Sequence, residues 1–353
     1  MNIDLTQYGW DNFFEHSKKS SENKTLEHGR VISVHKSRYE IVCHSGVFSS
    51  EILGKLQFKK DPMDIPSVGD WVLFAWEGDM PVIHELLARK TIIKRQKKHD
   101  HFPKPIAANV DKAIIMQAVG EDFSIKRIER ILVHLREARV EPIIVINKID
   151  LLEGGLEGMR RDLASLDTTI PVVLSSYKTG EGIDRLESLC NPGETIMFIG
   201  SSGVGKSSII NTILKAEKQE TQEITLRTGK GKHTTTARRL FITDTGVLVV
   251  DTPGTREFGM HGENDKALNE SFADIESLLQ GCQFSNCRHG NEPGCHVQNA
   301  LRTGEVDTET YNRYLVLQNE LAQSAKQMRQ SEKQSTRPPQ ELPARSVRKG
   351  KKS

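Results

Sequence analysis

The stretch "ETIMFIGSSGVGKSS", residues 194–208, carries an apolar run into Gly200-x-x-x-x-Gly205-Lys206-Ser207 and on into the helix-forming "IINTIL". A strand that ends in this loop and reopens as a helix is the most restrictive local pattern in the chain. Its glycines let the backbone wrap an anion, so that successive N–H groups and the helix N-terminus face a phosphate. Such a loop sits at the carboxyl end of a strand in an open α/β sheet. The surrounding sequence supplies that sheet. "KAIIMQAV", "EPIIVINKID", "PVVLSS", "LFITD" and "VLVVDTPG" are apolar runs, and they alternate with helical stretches such as "SIKRIERILVHLREARV" and "GEGIDRLESLC". Continuous apolar strands separated by helices predict a largely parallel sheet covered on both faces.

The motifs that carry chemistry fall at the ends of these strands. In the loop itself, Gly200, Ser201, Ser202, Gly203, Val204, Gly205, Lys206, Ser207 and Ser208 form the expected phosphate cradle. Lys206 is placed to reach the β- and γ-phosphates and Ser207 to ligate Mg²⁺. Asp251, in Asp251-Thr252-Pro253-Gly254, can hold Mg²⁺ through a water, and the Gly254 N–H can bond a γ-phosphate. Asn147-Lys148-x-Asp150 is the pattern that reads guanine: a carboxylate at Asp150 accepts from N1–H and the 2-amino group, a donor pair that adenine lacks. Asn147 braces the neighbouring loop, and the alkyl stem of Lys148 covers the base face. "SSYKTGEG", residues 175–182, fits the loop that gives a backbone N–H to guanine O6, from Ser175 or Ser176. The base-reading motifs thus precede the phosphate loop. Joining the old termini of a sheet and opening new ones leaves the same site, so this order predicts a circular permutation.

Two further regions flank that domain. Between Gly29 and Arg95, "RVISVH", "YEIVCH", "VFSSEILGKL", "DWVLFAW" and "MPVIHELL" are five short strand-like segments divided by turns. They predict a small five-stranded barrel of the oligonucleotide-binding (OB) type, with an SH3-like barrel as the alternative. Toward the other end, Cys282-x4-Cys287-x-His289-x5-Cys295 supplies three thiolates and an imidazole, the set for a closed tetrahedral structural Zn²⁺. Cys43 and Cys190 read as ordinary strand and helix residues.

The permuted motif order, the barrel and the cysteine cluster together resemble the bacterial RsgA family of small ribosomal subunit biogenesis GTPases, over roughly residues 28 to 325. The resemblance implies a GTPase that hydrolyses GTP to GDP and assists late maturation of the small ribosomal subunit by binding it and its rRNA, with activity stimulated by the subunit. It also implies a role for His233, in the Gly-x-His-Thr-Thr pattern, in orienting the attacking water, since Thr255 stands where many small GTPases carry a glutamine. Thr234 or Thr235 is the expected switch ligand to Mg²⁺. The rival reading is an RNA-binding adaptor in which GTP merely orders a surface; an ATPase is disfavoured by Asp150.

The expected organisation is multidomain α/β: a helical arm at 1–27, in which Leu5, Tyr8, Trp10, Phe13 and Phe14 share an apolar face; the barrel at 28–95; a basic linker at 96–108; the permuted GTPase domain at 109–270; a zinc-binding helical domain at 271–330; and a disordered basic tail at 331–353. Lys and Arg outnumber acids seven to one over residues 89–104, and six to one from Thr336 onward. Either cluster can meet a phosphate backbone or simply be solvated surface. No apolar run approaches the about 20 residues that span a bilayer, and acids stand where a signal peptide has its apolar core. A cytoplasmic monomer with no membrane contact is expected.

Overall fold

The computed structural model describes residues 2–35, 38–57, 61–95, 103–120, 122–152, 157–214, 238–251, 265–284, 286–290 and 292–335. The arm begins with a 3₁₀ turn, Leu5–Tyr8, and a helix α1 (Asn12–Ser20), each opened by an aspartate whose carboxylate accepts from the backbone two residues on. Leu5 and Phe14 are buried against Trp71 and Leu73 of the barrel. Phe13, expected on the same face, is instead 42% exposed. The helical period places neighbours about 100° apart, so Phe13 cannot follow Phe14 inward.

Five strands form the barrel: β1 (Glu27–His35), β2 (Arg38–Cys43), β3 (Gly46–Ile52), β4 (Trp71–Glu77) and β5 (Met80–Leu86). A short helix α2 (Gly54–Gln57) lies between β3 and β4. The strand order is β1-β2-β3-β5-β4, and β4 closes on β1 from Arg30↔Trp71 to Glu27↔Phe74. β3 and β5 run parallel. A parallel pair needs a crossover and cannot arise in a pure meander, so the order decides for the OB-type barrel. Part of the expected linker is a strand: β7 (Lys104–Ala108) pairs with β6 (Ile92–Arg95) in a two-stranded ribbon. The density of charge over residues 89–104 conceals this short segment, whose Pro105, Ile106, Ala107 and Ala108 are all buried.

The central domain is built on β8 (Lys112–Ala118), β9 (Glu141–Asn147), β10 (Val172–Leu174), β11 (Thr195–Gly200), β12 (Arg238–Ile242) and β13 (Leu248–Asp251), in the order β10-β9-β8-β11-β13-β12. All pairings are parallel except that of β12 with β13. Helices α3 (Ile125–Ala138), α4 (Glu157–Ala164), α5 (Ile183–Glu187) and α6 (Lys206–Leu214) cover it. Alternation along β8 divides the core. Ala113 and Ile115 pack with Ile128, Leu132 and Leu135 of α3, whereas Ile114 and Met116 pack with Ile209, Ile210 and Ile213 of α6. β12 also pairs antiparallel with β1, Ser33↔Arg239 and Val34↔Arg238, so barrel and central sheet form one eleven-stranded sheet.

A third core gathers α7 (Asp265–Ser271), α8 (Ala273–Gln280), α9 (His296–Thr303) and α10 (Thr308–Ser335) around Phe272, Tyr311, Tyr314 and Leu317. Ala267 and Leu268 belong to it, so this unit starts ahead of residue 271. The last helix continues through Ser335, past the expected start of the tail. No helix among the described residues is long and apolar enough to cross a membrane.

Candidate functional site

Because β9, β10, β11 and β13 are parallel, Asn147, Ser175, Gly200 and Asp251 all emerge at one edge of the sheet. The phosphate loop leaves β11 at Gly200, where an added Cβ would come within 2.3 Å of the Met116 carbonyl oxygen. Gly203 and Gly205 sit at φ +87° and +98°, left-handed values that favour glycine. Val204 between them is buried in the α6 core and anchors the loop from below. Lys206 Nζ donates to the carbonyls of Gly200 and Ser201, both at 2.6 Å, which holds the ammonium against the loop. Ser202 and Ser207 are exposed on the loop and on the first turn of α6, with Ser208 beside them. Asp251 ends β13; burial raises its carboxyl above the ordinary range, and the Lys206 ammonium opposes that rise.

The base-reading tetrad is welded to this loop. Asn147 is fully buried; its Nδ2 donates to Val204 O at 2.8 Å and its Oδ1 accepts from Ser175 Oγ at 3.3 Å. The same Nδ2 would stand 2.3 Å from a Cβ at Gly205, so the glycine is required by the asparagine as well as by φ. Lys148 takes a left-handed conformation, φ +65°, turning the chain so that Ile149 N–H donates to Ser175 O. Asp150 Oδ1 accepts from Ser176 Oγ at 2.6 Å, and Oδ2 lies 3.4 Å from Lys178 Nζ. The Ser176 hydroxyl foremost, with Lys178, holds the Asp150 carboxyl below its ordinary range, so it stands ionised as an acceptor.

In the loop expected to supply a backbone donor, both serine amides are already bonded within the protein. Ser175 N–H is spent on Ile146 O at 2.8 Å and Ser176 N–H on Glu181 O at 3.0 Å. Both serines brace the site with their hydroxyls and have no amide left for a base. The next amide, Tyr177 N–H, makes no hydrogen bond to a described residue. The turn closes from Gly180 N–H to Ser176 O, and Gly182, at φ +77°, would place a Cβ 2.1 Å from Leu174 O.

Some 30 residues beyond Asp251, Cys282, Cys287, His289 and Cys295 converge, with ligand atoms all within 4.8 Å of one another. Cys282 Sγ is 3.5 Å from His289 Nδ1 and 3.9 Å from Cys295 Sγ; Cys295 Sγ is 3.7 Å from the same nitrogen. Thiolates at about 2.3 Å and an imidazole at about 2.0 Å around a tetrahedral zinc stand about 3.5–3.8 Å apart, so these donors fit such an ion. His289 at φ +58° and Gly294 at φ +74° are the left-handed turns that fold the loop back on itself. His233, Thr234, Thr235 and Gly254 lie outside the described residues.

A parallel sheet whose one edge gathers a phosphate loop, a guanine tetrad and a switch aspartate, in the chain order base before phosphate, is a circularly permuted GTPase domain. The RsgA GTPase family model matches residues 86–261. The small ribosomal subunit biogenesis GTPase RsgA 1 of Bacteroides thetaiotaomicron is 36% identical over 352 residues, covering 98% of each chain. The RsgA protein of Syntrophotalea carbinolica is 35% identical, covering 96% of this chain and 97% of its own. Among solved structures, YjeQ of Thermotoga maritima superposes with a TM-score of 0.62 at 29% identity, covering 84% of this chain and 98% of its own. YloQ, described as a circularly permuted GTPase, gives 0.58 at 26%, covering 86% and 97%. The chain belongs to the RsgA GTPase family, and it is a GTP-hydrolysing enzyme.

Proposed function

We propose that this GTPase acts on the assembling small ribosomal subunit, binding it and its rRNA and hydrolysing GTP to GDP late in maturation. The observation that carries the guanine assignment is the bond from Asn147 to Val204 O, which fixes the base reader against the phosphate loop. Asp150 accepts from guanine N1–H and the 2-amino group, Tyr177 N–H donates to O6, and Lys148 covers the ring. Lys206 meets the β- and γ-phosphates, over which the amides of residues 200–208 form the cradle. Mg²⁺ would be held by Ser207, by Asp251 through water and by Thr234 or Thr235, neutralising charge between the β- and γ-phosphates. His233 orients the attacking water and the Gly254 N–H senses the γ-phosphate. Cys282, Cys287, His289 and Cys295 would hold one structural Zn²⁺ that clamps the C-terminal helices. The same reading takes the protein to be a cytoplasmic monomer without membrane contact.

With no glutamine at Thr255 to place the water, unaided turnover is expected to be slow, on the order of 10⁻⁴ s⁻¹. The test is GTP turnover with purified small subunits, large subunits and neither. Stimulation by small subunits alone is expected; equal turnover in all three overturns the proposal. His233→Ala separates the enzyme from the adaptor, because an adaptor keeps full effect on subunit maturation when hydrolysis is lost.

A further inference from the structure

Helix α3 lies between the phosphate loop and the C-terminal helices and is bonded to both. On one side, Arg127 Nη1 donates to Ser201 Oγ at 2.8 Å, and is held in place by Asp122, Oδ1 at 3.0 Å and O at 3.2 Å. Ser201 is thus gripped twice, at its hydroxyl by Arg127 and at its carbonyl by Lys206, the residue that meets the phosphates. On the other side, Glu129, 4% exposed, accepts from Nε of Arg313 in α10 at 2.9 Å, and Arg313 is itself 6% exposed. Residues two apart on a helix lie about 200° apart, so Arg127 and Glu129 serve opposite faces. Arg130 adds a two-pronged pair with Glu320 of α10, at 2.6 and 3.1 Å, and Val133 packs inside the C-terminal core.

We propose that Arg127 is a positioning residue for GTP hydrolysis: through Ser201 it fixes the phosphate loop, and through α3 it makes that loop answer to the seating of the C-terminal domain. This rests on residues 200–208 being the site of the GTP phosphates. The two ends of the path differ in kind. The Glu129–Arg313 pair is buried and cannot loosen without leaving a charge uncompensated, so α3 and α10 move together. The Arg127 side chain is 39% exposed and paired with Asp122 at the surface, where ion pairs add little to stability. Its removal therefore changes the loop rather than the fold. A displaced Ser201 carries with it one of the two carbonyls that aim Lys206, and sub-ångström misplacement of a charge-stabilising group falls on turnover more than on ground-state binding.

The test uses the full chain with Mg²⁺, reading kcat and KM for GTP hydrolysis beside the melting temperature. Arg127→Ala is expected to lower kcat about tenfold while KM changes less than about threefold and the melting temperature holds. Ser201→Ala should reproduce the loss, the double substitution should add nothing to it, and Arg127→Lys should recover part. Replacing the buried pair together, Glu129→Met with Arg313→Met, should also lower kcat, non-additively with Arg127→Ala. Wild-type kcat in Arg127→Ala, or additive losses with Ser201→Ala, overturn the inference. Should Arg127→Ala fail to fold, Arg127→Lys and Ser201→Ala make the same comparison. A wild-type chain that binds no GTP or GDP in the presence of Mg²⁺ would overturn the nucleotide assignment beneath it.

Discussion

Asn147 and Asp150 stand three residues apart and do different work, because Asn147 is buried and Asp150 is exposed. Asn147 spends both its polar atoms on Val204 and Ser175, which makes it a structural tie between the base and phosphate halves of the site. Asp150 is braced by Ser176 and Lys178 and kept ionised, an acceptor for the guanine contacts proposed above. Asp150→Asn exchanges an acceptor for a donor. It should weaken GTP by at least about 100-fold and shift preference toward XTP, whose 2-oxo group accepts where guanine donates; competition against a fluorescent guanine nucleotide reads both. At this scale the sequence was legible wherever chemistry demands a residue type at a fixed spacing, as in the tetrad, the loop glycines and Lys206. Which amides are left unbonded was not legible, because it depends on the bonds from Ser175 N–H to Ile146 O and from Ser176 N–H to Glu181 O, which only the folded turn makes.

The arm is an element whose packing sets a pH dependence. His28 of β1 stacks on Trp10 at 3.9 Å between ring centroids, and its Nδ1 is 3.1 Å from Lys18 Nζ of α1. Burial first and the Lys18 ammonium second push the imidazole from 6.5 down to about 4, with Glu15 opposing them. Between those values the unfolded chain binds the proton that the folded chain refuses. Stability therefore holds above about pH 6.5 and falls as pH drops toward about 4. His28→Phe keeps the stacking and removes the titration, so melting temperature against pH should flatten across that window. An unchanged slope would mean that His28 is not the group responsible. The arm helix and the five barrel strands followed from apolar spacing, but the segment expected as a strand through Leu56 ends at Ile52 and turns into α2, and β7 was missed, since its five residues are too short for a period and lie in a charged neighbourhood.

Across the whole molecule, three units are joined by strand pairing and by side-chain ties. β12 continues the barrel into the central sheet. Arg30, 2% exposed, ties four segments at once, donating to Gly69 O, Tyr8 O, Asn109 O and Thr195 Oγ1. The C-terminal unit is held by α3 on one side and folded around the Cys₃His cluster on the other. A structural zinc contributes on the order of 10 kcal/mol to the fold it closes. A chelator that takes zinc and leaves Mg²⁺ should therefore abolish a C-terminal melting transition and restore it on re-addition; an unchanged melt would show that the helices hold without the ion.

By itself the sequence determined the strand–loop–helix, the permuted order of motifs, the five strands of the barrel and the metal-ligand set. Each of these is a local demand, in which a few nearby residues must meet one backbone geometry or one ion. Tertiary structure decided the barrel type through the parallel β3–β5 pair, the fusion of barrel and sheet at β12, the bonds that occupy the Ser175 and Ser176 amides, and the path from Ser201 through Arg127 to α10. Those contacts join residues as far apart as Arg30 and Thr195, or Glu129 and Arg313, separated by 165 and 184 positions. No periodicity along the chain records such pairs, because only the packing of finished elements brings them together.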